Sequence, residues 1–167
     1  MSKVLDDAWA DRMPNLPLAT KKEALVLASI VEKETGIAAE RATIAGVFVN
    51  RLRKGMPLQT DPTVIYAITN GAHKNNGKGT LGRRLLRKDL QIDSPYNTYK
   101  IVGLPPAPIC NPGKDAIIAS LHPEAHDYIY FVADGTGGHI FSKTLAEHNR
   151  NVSQWRKIRR TQSQSKK

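Results

Sequence analysis

Residues 20–36 contain the strongest local folding signal in the chain, a helix with both of its ends marked. Thr20 and Glu23 have the S/T-x-x-E spacing of a capping box, in which two unpaired backbone donors at a helix start are satisfied reciprocally. The residues that follow are mostly apolar, and Gly36 is placed to end the helix with left-handed backbone. The sequence therefore predicts a helix over 24–35 with one face buried in a core.

The rest of the chain is predicted as short helical patterns followed by one pair of strands. Residues 128–132 are β-branched and aromatic, a Gly-rich turn follows at 135–138, and 139–142 form the partner strand. Further helices are predicted at 39–53, 61–68, 85–90, 112–121 and 145–160, with a Gly- and Asn-rich loop at 71–82 and Pro-rich irregular structure at 94–113. The fold class is therefore α+β, mostly short helices with a small antiparallel β-hairpin, in a single domain.

Composition excludes several classes of protein. The chain has 167 residues, of which 40% are hydrophobic and 24% charged, as in soluble domains with a real core. No apolar run reaches the roughly 18–20 residues that a membrane-spanning helix needs, and the acidic residues near the start do not fit a signal peptide. The single cysteine, Cys110, cannot form an internal disulfide.

The net charge of +10 is concentrated in two segments. Residues 150–167 and 74–88 are rich in Lys and Arg and contain no acid. Two basic patches suit an anionic surface without specifying which one, so a nucleic-acid-binding module is one hypothesis. The lack of aromatic residues interleaved with the basic ones counts against it.

Glu34 is the residue that best fits acid–base chemistry. At 100° per residue, Leu27, Ile30 and Val31 lie within about 60° of it, whereas Glu32 lies on the other side of the helix. Partial burial and the negative end of the helix dipole both raise the pKa of such a carboxyl, as a general acid near neutral pH requires. The alternative is a helix-end glutamate that turns into solvent.

A carboxyl with a raised pKa suits cleavage of a glycosidic bond, where an acid protonates the departing oxygen. Hydrolases of this kind use a second carboxylate, and Asp61 is the candidate. However, Asp61 precedes Pro62 in the pattern of an N-cap followed by proline at the first helical position. A structural role of this kind weakens the hydrolase hypothesis that pairs Glu34 with Asp61.

The five histidines do not indicate a metal centre. His122 and His126 are four residues apart, but Pro123 interrupts any regular helical face between them. His139 begins a strand, and His148 lies in the last helix. No H-E-x-x-H or paired-Cys pattern is present, so we expect neither a catalytic metal nor a cofactor.

Short blocks along residues 20–150 resemble, in order, those of the MltG-type (YceG-like) endolytic murein transglycosylases. The blocks are ASIVEKET at 28–35, VFVNRL at 47–52, LQTDPTVIY at 58–66, SPYNTY at 94–99, GLPP at 103–106, NPG at 111–113, YFVAD at 130–134 and EHN at 147–149. One block alone is weak evidence, whereas the ordered set is specific.

The resemblance implies an enzyme that cuts peptidoglycan glycan strands internally, between N-acetylmuramic acid and N-acetylglucosamine, without water. It also implies one catalytic glutamate, which we assign to Glu34 rather than Glu32. This group protonates the leaving O4 and then, as a base, takes the proton of the muramic acid C6 hydroxyl, which closes on C1 to leave a 1,6-anhydro end. The nucleophile then belongs to the substrate, and no second carboxylate is required.

The resemblance further implies a sugar-binding cleft. The polar residues that match the family's blocks, and that we expect to line it, are Gln59, Asp61, Tyr66, Asn97 and Tyr99. Either Tyr96 or Tyr99 is expected to hydrogen-bond the catalytic carboxyl. The alternative for each of these residues is a structural role in a turn or a helix cap.

Family members carry an N-terminal membrane helix and a LysM-like region before this domain. We therefore interpret residues 1–19 as a lead-in from an upstream region, 20–150 as the transglycosylase catalytic domain, and 151–167 as the end of the last helix with a basic tail. The resemblance implies action at the periplasmic, extracytoplasmic face of the inner membrane, on glycan strands and beside cell-wall synthases. It predicts no nucleic-acid partner, and membrane contact only through the missing anchor.

Overall fold

The computed structural model describes residues 2–72 and 81–164, and within these ranges it contains six α-helices and one two-stranded sheet. The elements are α1 Ser2–Ala10, α2 Lys21–Glu34, α3 Arg41–Arg53, α4 Asp61–Thr69, α5 Lys114–Leu121, β1 Tyr130–Ala133, β2 His139–Ser142 and α6 Leu145–Gln164, with 3₁₀ turns at Ala38–Glu40 and Asp89–Gln91. The α+β class predicted from the sequence is confirmed.

Helix α2 lies at the centre of the core, packed against α1, α3, α4 and α5. Its side chains Leu27 and Ile30 are fully buried and meet Ile44 and Phe48 of α3 and Ile117 of α5. Close-packed aliphatic side chains from several helices therefore hold α2 in place. Its C-terminal residue, Glu34, is fixed relative to the rest of the domain.

Both ends of α2 are held by local hydrogen bonds. The capping box is present: Thr20 Oγ1 accepts from the Glu23 N–H at 3.2 Å, and Glu23 accepts from the Thr20 N–H at 3.3 Å. Gly36 follows the C-cap residue Thr35 and so occupies the predicted C′ position, but its backbone is not left-handed. Instead Thr35 is extended, with φ −140°, and its hydroxyl accepts from the Ile37 N–H at 3.0 Å, so the chain leaves the helix without a left-handed residue.

Helix α1 was not predicted, because residues 1–19 were interpreted as a lead-in. Val4, Leu5, Ala8 and Trp9 of this helix pack against the core cluster. Their spacing places them on one face, which is the pattern of an amphipathic helix.

Several predicted boundaries differ from the observed ones. The N-cap of α4 is Thr60, so Asp61 is the first helical residue rather than the cap. Helix α5 begins at Lys114, after Gly113, and not at 112. Only the 3₁₀ turn at Asp89–Gln91 forms where a helix at 85–90 was predicted, and α6 continues past 160. Of the predicted loop at 71–82, residues 73–80 lie outside the described residues.

Strands β1 and β2 pair antiparallel, with Tyr130 opposite Ser142 and Ala133 opposite His139. The first strand was predicted to begin at 128. The carbonyl of Tyr128 instead accepts from the Asn50 amide of α3, at 3.1 Å, and bonding to β2 begins with the Ile129 N–H, which donates to the Ser142 carbonyl at 3.1 Å. These contacts fix the hairpin against the helical core.

Candidate active site

An open cleft of about 570 Å³ lies where the C-terminus of α2, the loop before α4, the hairpin and the start of α6 meet. Its walls contain both charged and aromatic side chains. The lining residues are Glu34, Arg51, Leu58, Gln59, Asp61, Tyr99, Tyr130, Phe131, Val132, Ala133, His139, Leu145, His148 and Asn149. Elements distant in sequence thus converge on one concave surface, which is the usual form of a ligand site.

Glu34 places its carboxyl in this cleft in a desolvated environment. Its Oε2 is buried and has no hydrogen-bond partner within the described residues. Burial is the main cause that raises the pKa of Glu34 to about 8, the negative charge of Asp61 raises it further, and Arg51 lowers it. The carboxyl therefore carries its proton at neutral pH, as the apolar stripe on α2 predicted.

Arg51 is the buried cation of the site. Its guanidinium donates to the carbonyls of Ile129 at 2.7 Å, Pro57 at 3.1 Å and Leu58 at 2.9 Å, and burial lowers its pKa. These bonds tie α3 to both sides of the cleft. Arg51 is not among the residues selected from the sequence, although a charged residue among the apolar residues of α3 is a recognisable signal.

Asp61 and Tyr99 form a second polar pair on the cleft wall. The Tyr99 hydroxyl donates to Asp61 Oδ1 at 2.6 Å. Burial raises the pKa of Tyr99, and the hydrogen bond to Asp61 raises it further, so the phenol keeps its proton and acts as a donor. Since Thr60 is the N-cap, the carboxylate of Asp61 is available to the cleft.

Gln59 lines the cleft in a backbone conformation that non-glycine residues rarely adopt. Its φ is 52°, and its N–H donates to the Thr98 carbonyl at 3.0 Å. Left-handed backbone in a residue with a side chain is most often found at functional sites or tight turns. Here it turns the chain between Leu58 and the start of α4 while the side chain remains exposed.

Asn97 and Tyr66 do not line the cleft. Asn97 is fully buried, its amide donates to the carbonyls of Leu90 at 3.0 Å and Ile92 at 2.8 Å, and its Oδ1 accepts from the Tyr99 N–H at 3.1 Å. Tyr66 packs against the Tyr96 ring at a tilt of 48°, with the ring centroids 4.7 Å apart. The structure thus brings together Glu34, Gln59, Asp61 and Tyr99 of the predicted set.

Glu32 is placed differently from Glu34. Its Oε2 accepts from the Gly113 N–H at 3.1 Å, next to the start of α5, and it does not line the cleft. Glu32 therefore links α2 to α5.

The hairpin and α6 contribute cleft residues that were not selected from the sequence. Tyr130 and His148 stack with ring centroids 5.1 Å apart, and burial lowers the pKa of His148. The hairpin and α6 follow each other in the chain, but nothing local in the sequence shows that they face Glu34.

Residues 2–72 and 81–164 contain neither a metal-binding cluster nor a helix that could cross a membrane. These ranges contain no group of three or more His, Cys, Asp or Glu side chains arranged to hold a metal ion. No helix in the same part of the chain is both long and apolar enough to cross a membrane.

Fold and site together define a small α+β domain with one desolvated carboxyl in an open cleft. A model of the YceG-like family matches residues 1–154, and the chain belongs to this family.

Curated relatives carry the name endolytic murein transglycosylase. The chain is 53% identical over 126 residues to that of Bacillus subtilis (strain 168) and 41% identical over 141 residues to that of Streptococcus pneumoniae (strain D39). These matches include 75% and 81% of this chain but only 32% and 24% of the relatives. A crystal structure of a yceG-like protein from Listeria monocytogenes is similar, with TM-score 0.72 and 46% identity over 89% of this chain and 44% of that one.

Proposed function

We propose that this chain is the catalytic domain of an endolytic murein transglycosylase, which cleaves the β-1,4 bond between N-acetylmuramic acid and N-acetylglucosamine without water. The observation that carries the proposal is the carboxyl of Glu34 in the open cleft, whose buried Oε2 has no hydrogen-bond partner within the described residues. The names of the relatives support the substrate.

In the first step Glu34 donates its proton to the departing O4 as the C1–O4 bond breaks and positive charge develops on the sugar ring. The desolvated carboxyl holds this proton at neutral pH. In the second step the carboxylate accepts the proton of the C6 hydroxyl, whose oxygen bonds to C1. The products are a 1,6-anhydro-muramic end and a free O4 hydroxyl, and Glu34 is protonated again.

Asp61 has an electrostatic role in this mechanism. Its negative charge raises the pKa of Glu34 and stabilises positive charge on a sugar ring in the same cleft. Tyr99 holds the Asp61 carboxylate by its hydrogen bond. Gln59 is proposed to contact the sugars, whereas Asn97 acts indirectly by holding the backbone of Tyr99.

A hydrolytic muramidase that uses Glu34 as acid and Asp61 as the second carboxylate is the alternative function. One observation favours it: both carboxyls line one cleft and interact electrostatically. Water, rather than the C6 hydroxyl, would then supply the oxygen at C1.

Mass spectrometry of glycan strands incubated with the protein in ¹⁸O-labelled water tests both functions. We expect unlabelled 1,6-anhydro ends from the unaltered protein and none from Glu34→Gln. Reducing ends that carry ¹⁸O would instead establish the hydrolase. The matched control is Glu32→Gln, on the same helix but outside the cleft, which we expect to retain most of the activity. An inactive Glu32→Gln beside an active Glu34→Gln would overturn the assignment.

The proposed place of action is the extracytoplasmic face of the inner membrane, beside cell-wall synthases. A nucleic-acid-binding module is a further hypothesis, which rests only on the positive charge of segment 150–167. That hypothesis predicts binding that weakens steeply with salt and is lost when 150–167 is removed. Membership of the YceG-like family supports a glycan ligand instead.

A further inference from the structure

Glu40 and His139 form a polar pair at the edge of the cleft, although they are far apart in the sequence. Glu40 ends the 3₁₀ turn after α2, and His139 begins β2. Glu40 Oε2 lies 2.7 Å from His139 Nδ1, and Oε1 accepts from the His139 backbone N–H at 2.9 Å. The two side chains are only 19% and 15% exposed, so the bonds are little weakened by solvent.

The carboxylate of Glu40 determines which ring nitrogen of His139 carries the proton. A carboxylate accepts but does not donate, so Nδ1 is the donor in this pair. In the neutral ring Nε2 is then a hydrogen-bond acceptor, and it makes no hydrogen bond within residues 2–72 and 81–164. His139 lines the cleft, and the Phe131 ring meets it edge to face, with centroids 5.3 Å apart.

The same carboxylate also connects His139 to the helix that carries Glu34. Thr35, the residue after Glu34, donates from its hydroxyl to Glu40 Oε2 at 3.4 Å. Gly138 allows this approach, since a Cβ at that position would lie 2.8 Å from Glu40 Oε1. The hairpin is therefore fitted closely around Glu40.

We propose that His139 is a substrate-contacting residue whose Nε2 accepts a hydrogen bond from a sugar hydroxyl, with Glu40 as its positioning residue. The ligand class, a glycan, rests on the proposed function. The tautomer of His139 does not, because it follows from the Glu40 contact alone.

The tautomer is tested first, by two-bond ¹H–¹⁵N NMR of the free protein. In the neutral His139 ring we expect the proton on Nδ1 and none on Nε2, and Glu40→Gln should change this tautomer because an amide can donate to Nδ1. Glu40→Gln keeps an oxygen for the backbone N–H and is nearly isosteric. A His139 protonated on Nε2 in the unaltered protein would overturn the proposal.

The contact is tested in the Glu34→Gln background with peptide-free strands of alternating N-acetylglucosamine and N-acetylmuramic acid. At saturation the Nε2 resonance of His139 should shift, and His139→Ala should weaken binding by about tenfold, the loss of one good hydrogen bond. The control His122→Gln alters a histidine outside the cleft, beside Asp11, and should bind normally. Saturation without a shift at Nε2 would overturn the contact, whereas strands that bind but are never cleaved by unaltered protein would contradict only the proposed function.

Discussion

Tyr99 donates its hydroxyl proton to Asp61 across 2.6 Å, and this bond separates the roles of the two carboxyls in the cleft. A tyrosine was expected to bind the catalytic carboxyl itself. Instead Asp61 receives the donor, while Glu34 Oε2 receives none from the described residues. Burial without a partner favours the neutral form of a carboxyl. The cleft thus contains one desolvated carboxyl suited to be an acid and a second carboxyl that is engaged by the Tyr99 hydroxyl.

The pKa of Glu34 sets the alkaline limit of the proposed activity. Because the acid must be protonated, kcat/KM should fall as pH rises through about 8. Asp61→Asn removes a negative charge that raises this pKa, so the alkaline limb should move to lower pH. A pH–rate profile of cleavage by both proteins measures the shift. The control Asp115→Asn alters an exposed carboxyl that pairs with Arg41 away from the cleft and should leave the limb in place. An unmoved limb in Asp61→Asn would contradict the coupling.

Glu34 should also make stability depend on pH. Its pKa is about 8 in the folded protein against an ordinary value of 4.5, so the folded state binds the proton more tightly. The stabilisation from this proton is complete below about pH 4.5 and is lost as pH rises to about 8. Glu34→Gln lacks this loss, so its unfolding free energy should rise relative to the unaltered protein across that interval.

Urea unfolding at about pH 5 and pH 9 measures the difference in unfolding free energy between Glu34→Gln and the unaltered protein. Each unit by which the pKa of Glu34 is raised contributes about 1.4 kcal/mol to the change in this difference. A variant that is less stable than the unaltered protein at the higher pH would show that Glu34 makes structural hydrogen bonds.

The apolar stripe on α2 made Glu34 a candidate acid, because helical periodicity determines which side chains share a face. The resemblance of the block at 28–35 was also needed to assign the catalytic role to Glu34, since the stripe alone left a solvent-facing glutamate possible. The capping box at Thr20 and the hairpin could also be predicted, because the residues that signal each of them lie close together in the sequence. The cap at Asp61 was wrong by one residue: Thr60 and Asp61 both precede Pro62, and the first turn of a helix accepts proline at more than one position.

Contacts between distant segments could not be predicted from local sequence patterns. Glu40 and His139 are far apart in the chain, and Arg51 meets the cleft only because its guanidinium reaches the carbonyls of other segments. Asn97 shows the opposite case. It is polar and close to Tyr99 in the sequence, which made it a candidate cleft residue, but its side chain forms its hydrogen bonds within its own loop. Tertiary packing, rather than local pattern, decides such placements.

Asn97→Asp should destabilise the loop that carries Tyr99. The amide donates to two carbonyls, and a carboxylate at the same place would face both oxygens without a proton to give. We expect a loss of about 2–4 kcal/mol, as for a buried polar group left without its partner. Chemical denaturation measures it. Full stability would indicate that the Asn97 side chain is free to contact sugar instead.

Gln59 allows backbone strain to be separated from sugar binding. Gln59→Gly should keep or increase stability, because glycine adopts a φ of 52° without a steric penalty. Gln59→Val should cost about 1–2 kcal/mol, because a β-branched side chain is disfavoured there. If the side chain contacts the glycan, both variants should raise KM for strand cleavage. A KM that is normal in Gln59→Gly would assign Gln59 to the turn alone.

Gly46 and Gly36 provide a matched pair for the packing behind the cleft. A Cβ on Gly46 of α3 would lie 2.5 Å from the Glu124 carbonyl oxygen and 2.6 Å from His126 Nε2, whereas a Cβ on Gly36 meets nothing within 4 Å. Gly46→Ala should therefore lower the unfolding free energy by about 2–4 kcal/mol through overpacking. Gly36→Ala should be within about 0.5 kcal/mol of the unaltered protein, because its backbone is not left-handed. Thermal and urea unfolding of the two variants measure the contrast. A destabilised Gly36→Ala would indicate that Gly36 has left-handed backbone after all. A Gly46→Ala protein with an unchanged unfolding free energy would indicate that segment 124–126 lies farther from α3.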